Sequence, residues 1–260
     1  MSHIYHNRTT RFLQLLWRNG LPCALCAPFR RLFAAWIIAG TPRGSFAFRG
    51  RSYAYFLGGY NTTWINERSV EIPIIRGELA GAPADAVLEV GHVLGHYGDV
   101  GHQVLDKFER GPGIIGHDVC RYVPARRYSR IVSISTFEHI GYDDDGGSRP
   151  EDALDRCRQW LTPDGRLTIT APLGYSRAFD RLVATGWPPA GQTSFMLRTG
   201  RTRWHEASRQ DALAVRYGRP FPYGNGLVVI TVGPESGAPD AADPPWVAPI
   251  GASRRRPHTA

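Results

Sequence analysis

From residue 85 to residue 173 the chain alternates short apolar runs with polar or glycine-broken connections. "AVLEVG" at 86–91 reads as a buried strand and "HQVLDK" at 102–107 as a second. "GIIGHDV" at 113–119 gives a short third strand and "SRIVSIS" at 129–135 a fourth. "PEDALDRCRQWL" then carries a helical period that stops before "TPDG", and "RLTITAP" at 166–172 makes a fifth strand. Two late β segments follow, "TSFMLR" and "GLVVITVG", the first facing "TRWHEAS" across a turn at Thr199 and Gly200. Strands apolar on both faces, separated by helices, predict a mostly parallel sheet covered on both sides. The fold class is therefore α/β, a Rossmann-like doubly wound sheet of about seven strands with an antiparallel strand near the C-terminal end.

Upstream, "SFAFRGRSYAYF" alternates around Arg49 and Gly50, which is a hairpin signature. "NERSVEIPIIRGEL" follows as a helix with Asn66 as N-cap, Glu67 in its first turn, and Pro73 placed to kink or interrupt it. Residues 1–43 read as a basic, partly helical arm, 44–236 as the domain, and 237–260 as a disordered Pro/Ala/Arg tail. The apolar run at 32–40 is far below the roughly 20 residues a bilayer span requires. It is expected to pack on the domain, with peripheral contact to a membrane surface through the arm as the alternative.

The 260 residues carry a net charge of +8, and Lys107 is the single lysine. Much of the arginine excess sits at the two ends, so nucleic-acid binding is not expected, although a basic nucleic-acid-binding protein stays an alternative. Cys23 and Cys26 form a lone C-x-x-C without a second pair, and Cys120 and Cys157 stand apart. The four are read as thiols of a reducing, cytoplasmic compartment. Asn7 and Asn61 match the glycosylation sequon but follow no recognisable signal segment.

The candidate chemistry lies in "DAVLEVGHVLGHYGDVGHQVLDKFE". Ligands of doubly wound sheets bind beyond the carboxyl ends of the strands. Gly91 closes the first strand and lets the backbone approach a ligand; Asp106 closes the second, 17 positions after Glu89, where a carboxylate accepts ribose hydroxyls. Asp118, after the third strand, can accept from an adenine amino group. Ser135, Thr136, Phe137, Glu138 and His139 end the fourth strand over the centre of the pocket. His92 and His96, four apart, raise a metal site completed by His102 or Asp99. The loop is tight, glycine-rich and without a zinc-enzyme signature, so no metal is expected. A dinucleotide dehydrogenase is disfavoured because no G-x-G-x-x-G is present.

With "VLEVG", "VLDKFE", "GHDV", "RIVSISTFEHIG" and "LTPDGRLTITAPLG" in view, residues 85–173 resemble the class I S-adenosylmethionine-dependent methyltransferases. Through "YNTTWINERSVEIPI" and "YGRPFPYGNGLVVI" the resemblance extends over about 46–233, to a methyltransferase-like bacterial group. It implies that Glu89 and Gly91 shape the methionine end of an S-adenosylmethionine site, Asp106 holds the ribose, and Asp118 and Val119 flank the adenine. Ser135 would lie near the methionine portion, and Glu138 and His139 at the transfer site, His139 as general base. The middle glycine of the family's E-x-G-x-G-x-G loop is here Val93, while Gly95 is kept. The expected activity is methyl transfer to a small-molecule or sugar-like acceptor, and a non-catalytic binding domain of the same fold is the alternative. Tyr60, Asn61 and Trp64 are read either as walls of the substrate pocket or as an aromatic lid on the sheet edge. Glu67 and Arg68 are read as ordinary helix charges, and Asp143 to Asp145 as a solvated loop.

Overall fold

A computed structural model describes residues 32–41, 43–143 and 147–233. Residues 1–31 and 237–260, and with them Asn7, Cys23, Cys26 and most of the predicted arm and tail, lie outside the described residues, as do Asp144 and Asp145.

The expected strands form where their apolar runs fall: β3 (Val87–Val90), β4 (Gln103–Asp106), β5 (Ile114–Gly116), β6 (Tyr128–Ile134), β7 (Leu161–Pro172), β8 (Gln192–Arg198), β9 (Trp204–Ala207) and β10 (Gly226–Val232), after a separate hairpin of β1 (Ser45–Phe48) and β2 (Arg51–Ala54). The large sheet has eight strands in the order β5-β4-β3-β6-β7-β10-β8-β9. Strands β3 to β7 pair in parallel, while β10 runs antiparallel to both β7 and β8. This is the Rossmann-like doubly wound sheet of class I methyltransferase type, with β9 as an eighth strand on the edge. β7 starts earlier than its apolar pattern suggests: Leu161 already pairs with Tyr128, and the register then shifts, so "TPDG" forms an irregular part of the strand.

Helices α3 (Pro150–Gln159), α4 (Arg177–Ala184) and α5 (Arg209–Ala214) cover one face and bury Leu154, Cys157, Phe179 and Val183 against Leu88, Ile131, Leu167 and Ile230. Helix α2 (Arg68–Leu79) covers the other, with Val70 and Ile74 on Leu227 and Val229, and Ile72 and Ile75 on Val132 and Ile134. Glu67 holds the N-cap position of α2, and Asn66, one residue earlier than its expected role, accepts Arg68 N on Oδ1 at 3.0 Å. Pro73 does not interrupt the helix. A proline there frees the carbonyl four residues earlier, and that carbonyl, of Ser69, accepts the Phe56 amide at 3.0 Å. The orphan left by the proline thus becomes the joint between α2 and the hairpin.

Arg49, at the hairpin turn, reaches across the sheet edge: Nε donates to Ser194 Oγ at 2.9 Å, Nη1 to Thr231 Oγ1 at 2.8 Å, and its backbone amide to Glu206 at 3.1 Å. Helix α1 (Ala34–Gly40) forms, but none of its residues is buried, and Leu32 and Trp36 are 76% and 79% exposed. The full burial expected for this segment is therefore not observed, although Ala34, Ile37 and Ile38 are partly covered. Among the described residues no helix is long and apolar enough to cross a membrane.

Candidate active site at the carboxyl ends of the strands

Gly91 ends β3 with φ 87°, and Thr136, just past β6, fills the space beside it: a Cβ on Gly91 would lie 2.1 Å from Thr136 Oγ1. The glycine therefore serves the junction of two adjacent strand ends. A single 3-10 turn, Leu94–Tyr97, makes the whole crossover to β4. Glu89, fully buried, organises it. Its Oε1 accepts Val93 N and Leu94 N, both at 2.8 Å, and its Oε2 meets His102 Nε2 at 2.9 Å. His102 is thereby committed to the loop interior.

Asp106 takes three backbone amides: Oδ2 accepts His92 N at 2.9 Å, and Oδ1 accepts Phe108 N and Glu109 N, both at 2.7 Å. Its carboxylate thus binds the loop after β3 to the loop after β4. Of roughly four acceptor positions on a carboxylate, one stays open. Asp118 pairs with Lys107 Nζ at 2.9 Å and accepts Cys120 N at 2.8 Å. Desolvation raises its pKa, but Lys107 and the Cys120 amide outweigh it and hold the group below its usual range. Val119 is buried beside it.

Past β6 the chain turns sharply. Ser135 has φ 40° and donates from Oγ to Glu71 Oε1 at 2.8 Å. Glu138 is buried to 1% exposure, and neither carboxylate oxygen has a hydrogen-bond partner. Burial, with the charges of Glu71 and Glu67, pushes its pKa well above the carboxylate range. His139 Nε2 lies 3.6 Å from Glu138 Oε1, while Nδ1 is hydrogen-bonded to Asp143, which also accepts from Tyr175 OH at 3.2 Å. Asp143 is thus a partner of His139, in place of the solvated loop expected there. Tyr175 packs on His139 at 4.5 Å between centroids and on Tyr142 and Tyr217 at 5.8 and 5.4 Å.

Opposite stands the first turn of α2, whose charges are buried rather than ordinary. Arg68 donates to Glu71 Oε2 at 2.7 Å, and Glu67 Oε2 accepts Gly224 N at 2.8 Å. Burial and Glu71 raise the Glu67 pKa, while the two glutamates hold Arg68 firmly protonated. Ahead of α2, Asn61 and Thr62 have φ 49° and 52°, and Thr62 Oγ1 donates to the OH of Tyr223, itself at φ 69°. Positive φ at a β-branched residue is strained, and such strain persists where the surroundings over-determine it, often at functional sites. Trp64 is buried, while Tyr60 is half exposed and stacks on His96.

The structure thus gathers Glu138, His139, Asp143, Tyr175 and the α2 glutamates at the end of β6, and Asp106, Asp118 and Val119 at the ends of β4 and β5. Sequence reasoning passes over Glu71, although it lies four residues after Glu67 on the same helix face. It also passes over Tyr175, although a residue just beyond β7 falls under the strand-end rule.

No family model and no curated protein matches the chain. Among solved structures it is similar to the N-methyltransferase NodS from Bradyrhizobium japonicum bound to S-adenosyl-L-homocysteine, at 15% identity over 65% of this chain and 88% of that one, with a TM-score of 0.41. It is also similar to a SAM-dependent methyltransferase from Archaeoglobus fulgidus (12% identity, 64% and 93% covered, TM-score 0.40) and to the glycopeptide N-methyltransferase MtfA (15%, 63% and 86%, TM-score 0.34). At these scores the fold assignment rests on the strand order itself.

Proposed function

From a chain with the class I methyltransferase sheet, we propose an S-adenosylmethionine-dependent methyltransferase acting on a small polar acceptor. The observation that carries the reading is the imidazole of His139, held at Nδ1 by Asp143 and presenting Nε2 beside an unpartnered buried carboxylate. Bound S-adenosylmethionine supplies an activated sulfonium methyl. The residues fit that cofactor at its ribose, where Asp106 keeps one acceptor position open, and at the base, where Val119 offers an apolar surface. Asp118 would reach an adenine amino group only by sharing its bond to Lys107, and Ser135 acts through Glu71.

The chain's own chemistry is then proton handling. With Nδ1–H donated to Asp143, Nε2 of His139 is the atom that takes a proton from an oxygen or nitrogen acceptor. Glu138, whose pKa burial raises, would in its protonated form donate a hydrogen bond without adding a second negative charge. Tyr142, Tyr175 and Tyr217 form an aromatic cluster beside His139, a surface suited to a small polar molecule. One observation favours a second reading, a domain of this fold that binds without turnover: the space over Gly91 is filled by Thr136 and that over Gly95 by the ring of His92.

Calorimetry with S-adenosylhomocysteine separates the two readings from a wrong one. Binding is expected, weakened by about 1.5–3 kcal/mol in Asp106→Ala, with Asp106→Asn as the shape-conserving control. In a methyl-transfer assay His139→Ala should lower turnover by about 10²–10⁴ at nearly unchanged S-adenosylhomocysteine affinity. No binding by the wild type refutes the proposal, and binding with no turnover on any acceptor supports the second reading.

A further inference from the structure

The histidines of the loop after β3 do not come together as their spacing suggests. His102 turns inward to Glu89, and its place beside His92 and His96 is taken by Glu109, from the loop after β4. His92 Nδ1 lies 2.5 Å from Glu109 Oε2, and His96 Nε2 lies 3.3 Å from Glu109 Oε1. One ligand atom from each of the three falls within 4.8 Å of the others. We propose that His92, His96 and Glu109 form a site for a divalent transition-metal ion, zinc by the chemistry of its donors.

Two imidazoles and a carboxylate are a donor set zinc accepts in tetrahedral geometry, with bonds of about 2.0–2.2 Å and a fourth position left to water. Those bonds place ligand atoms roughly 3.3 Å apart, which is the His96 to Glu109 separation already present. The His92 to Glu109 pair is closer because it is a direct hydrogen bond. An ion takes the place of that hydrogen bond, with Nδ1 presenting its lone pair and the ring proton carried on Nε2, and the pair opens by less than about 1 Å.

Three features outside the ligands hold the set in place. Asp106 accepts both His92 N and Glu109 N, so one carboxylate fixes the backbones of two of the ligands. Gly95 leaves the room that the His92 ring occupies, since a Cβ there would lie 2.2 Å from His92 Nε2. Tyr60 stacks on His96 with centroids 4.6 Å apart and planes 20° from parallel. The side chains are partly exposed, 16% for His92 and 26% for His96, so the site is open to an ion from solution. The ion ties the two loops at the lip of the strand ends, and this inference stands whether or not the methyltransferase reading does.

The test is metal titration of the full, untagged chain after chelator treatment, with Co²⁺ as a spectroscopic stand-in for Zn²⁺. Wild type is expected to take up one equivalent that shows the intense visible bands of tetrahedral cobalt and to melt at a higher temperature with zinc. His96→Ala and Glu109→Gln should each lose that equivalent, or weaken it by at least about 100-fold, while keeping the metal-free melting temperature. His102→Ala should keep the bands. Bands of equal intensity in the His96 and Glu109 variants would place the ion elsewhere and overturn the assignment. So would a wild type that binds no cobalt at neutral pH.

Discussion

Replacing Glu89 by alanine tests what the first strand end is built for. The carboxylate is fully buried and accepts two amides of residues that are themselves buried, Val93 and Leu94, each at 2.8 Å. Alanine leaves both N–H groups without a partner, at about 1–3 kcal/mol each. It also strands His102, whose Nε2 faces Oε2 at 2.9 Å. The expected loss is therefore about 3–5 kcal/mol. Glutamine keeps one oxygen for both amides and presents an amide nitrogen to His102, which can accept from it after a change of tautomer, so Glu89→Gln should cost only about 1 kcal/mol. Urea denaturation of the three proteins at neutral pH measures both differences, and hydrogen exchange should show amides 93 and 94 deprotected in the alanine variant alone. An alanine variant within 1 kcal/mol of wild type would mean that this loop is not held by Glu89.

Gly91→Ala should destabilise by about 2–4 kcal/mol, combining the left-handed backbone with the overlap on Thr136, and adding Thr136→Ala should recover the overlap part only. Full recovery, or none, in that double-mutant cycle refutes the packing argument. Burial raises the Asp180 carboxyl to about 6 although it accepts Gly174 N at 3.1 Å. A raised folded value means that its contribution is fully present below about pH 4 and is lost as pH rises through about 6; the roughly 2-unit shift, discounted for partial exposure, amounts to about 1–2 kcal/mol. Asp180→Asn should therefore flatten the fall in melting temperature between pH 4 and 7, and an unchanged slope would count against the assignment.

The strands were legible because a parallel sheet buries both faces, so a strand is a short apolar run, often with a glycine or acid at its end; β3 (Val87–Val90), followed by Gly91, and β4 (Gln103–Asp106), closed by Asp106, show this most clearly. Pattern misled where a distant partner changed the local rule. Pro73 reads as a break, yet Phe56 supplies the donor that its free carbonyl needs. Glu67 and Arg68 read as ordinary helix charges because helical spacing does not reveal that this turn faces the strand ends. The partner of His92 is 17 positions away, and only the parallel pairing of β3 with β4, which sets their two following loops side by side, brings Glu109 to it. Asp143 was hidden in a run of three aspartates, where composition speaks for a loop and cannot single out the one that meets His139.

The stitching by Arg49 has a consequence in time. Its hydroxyl partners lie 145 and 182 residues further along the chain. At about 5–20 residues per second, a ribosome delivers the second of them on the order of 10–40 s after the arginine itself. For that interval the aromatic hairpin of β1 and β2, with Phe46 and Phe48 destined for the core, has no edge to dock on. The domain closes last where its sequence begins, and the nascent chain must keep those two rings from other company until the final strand arrives.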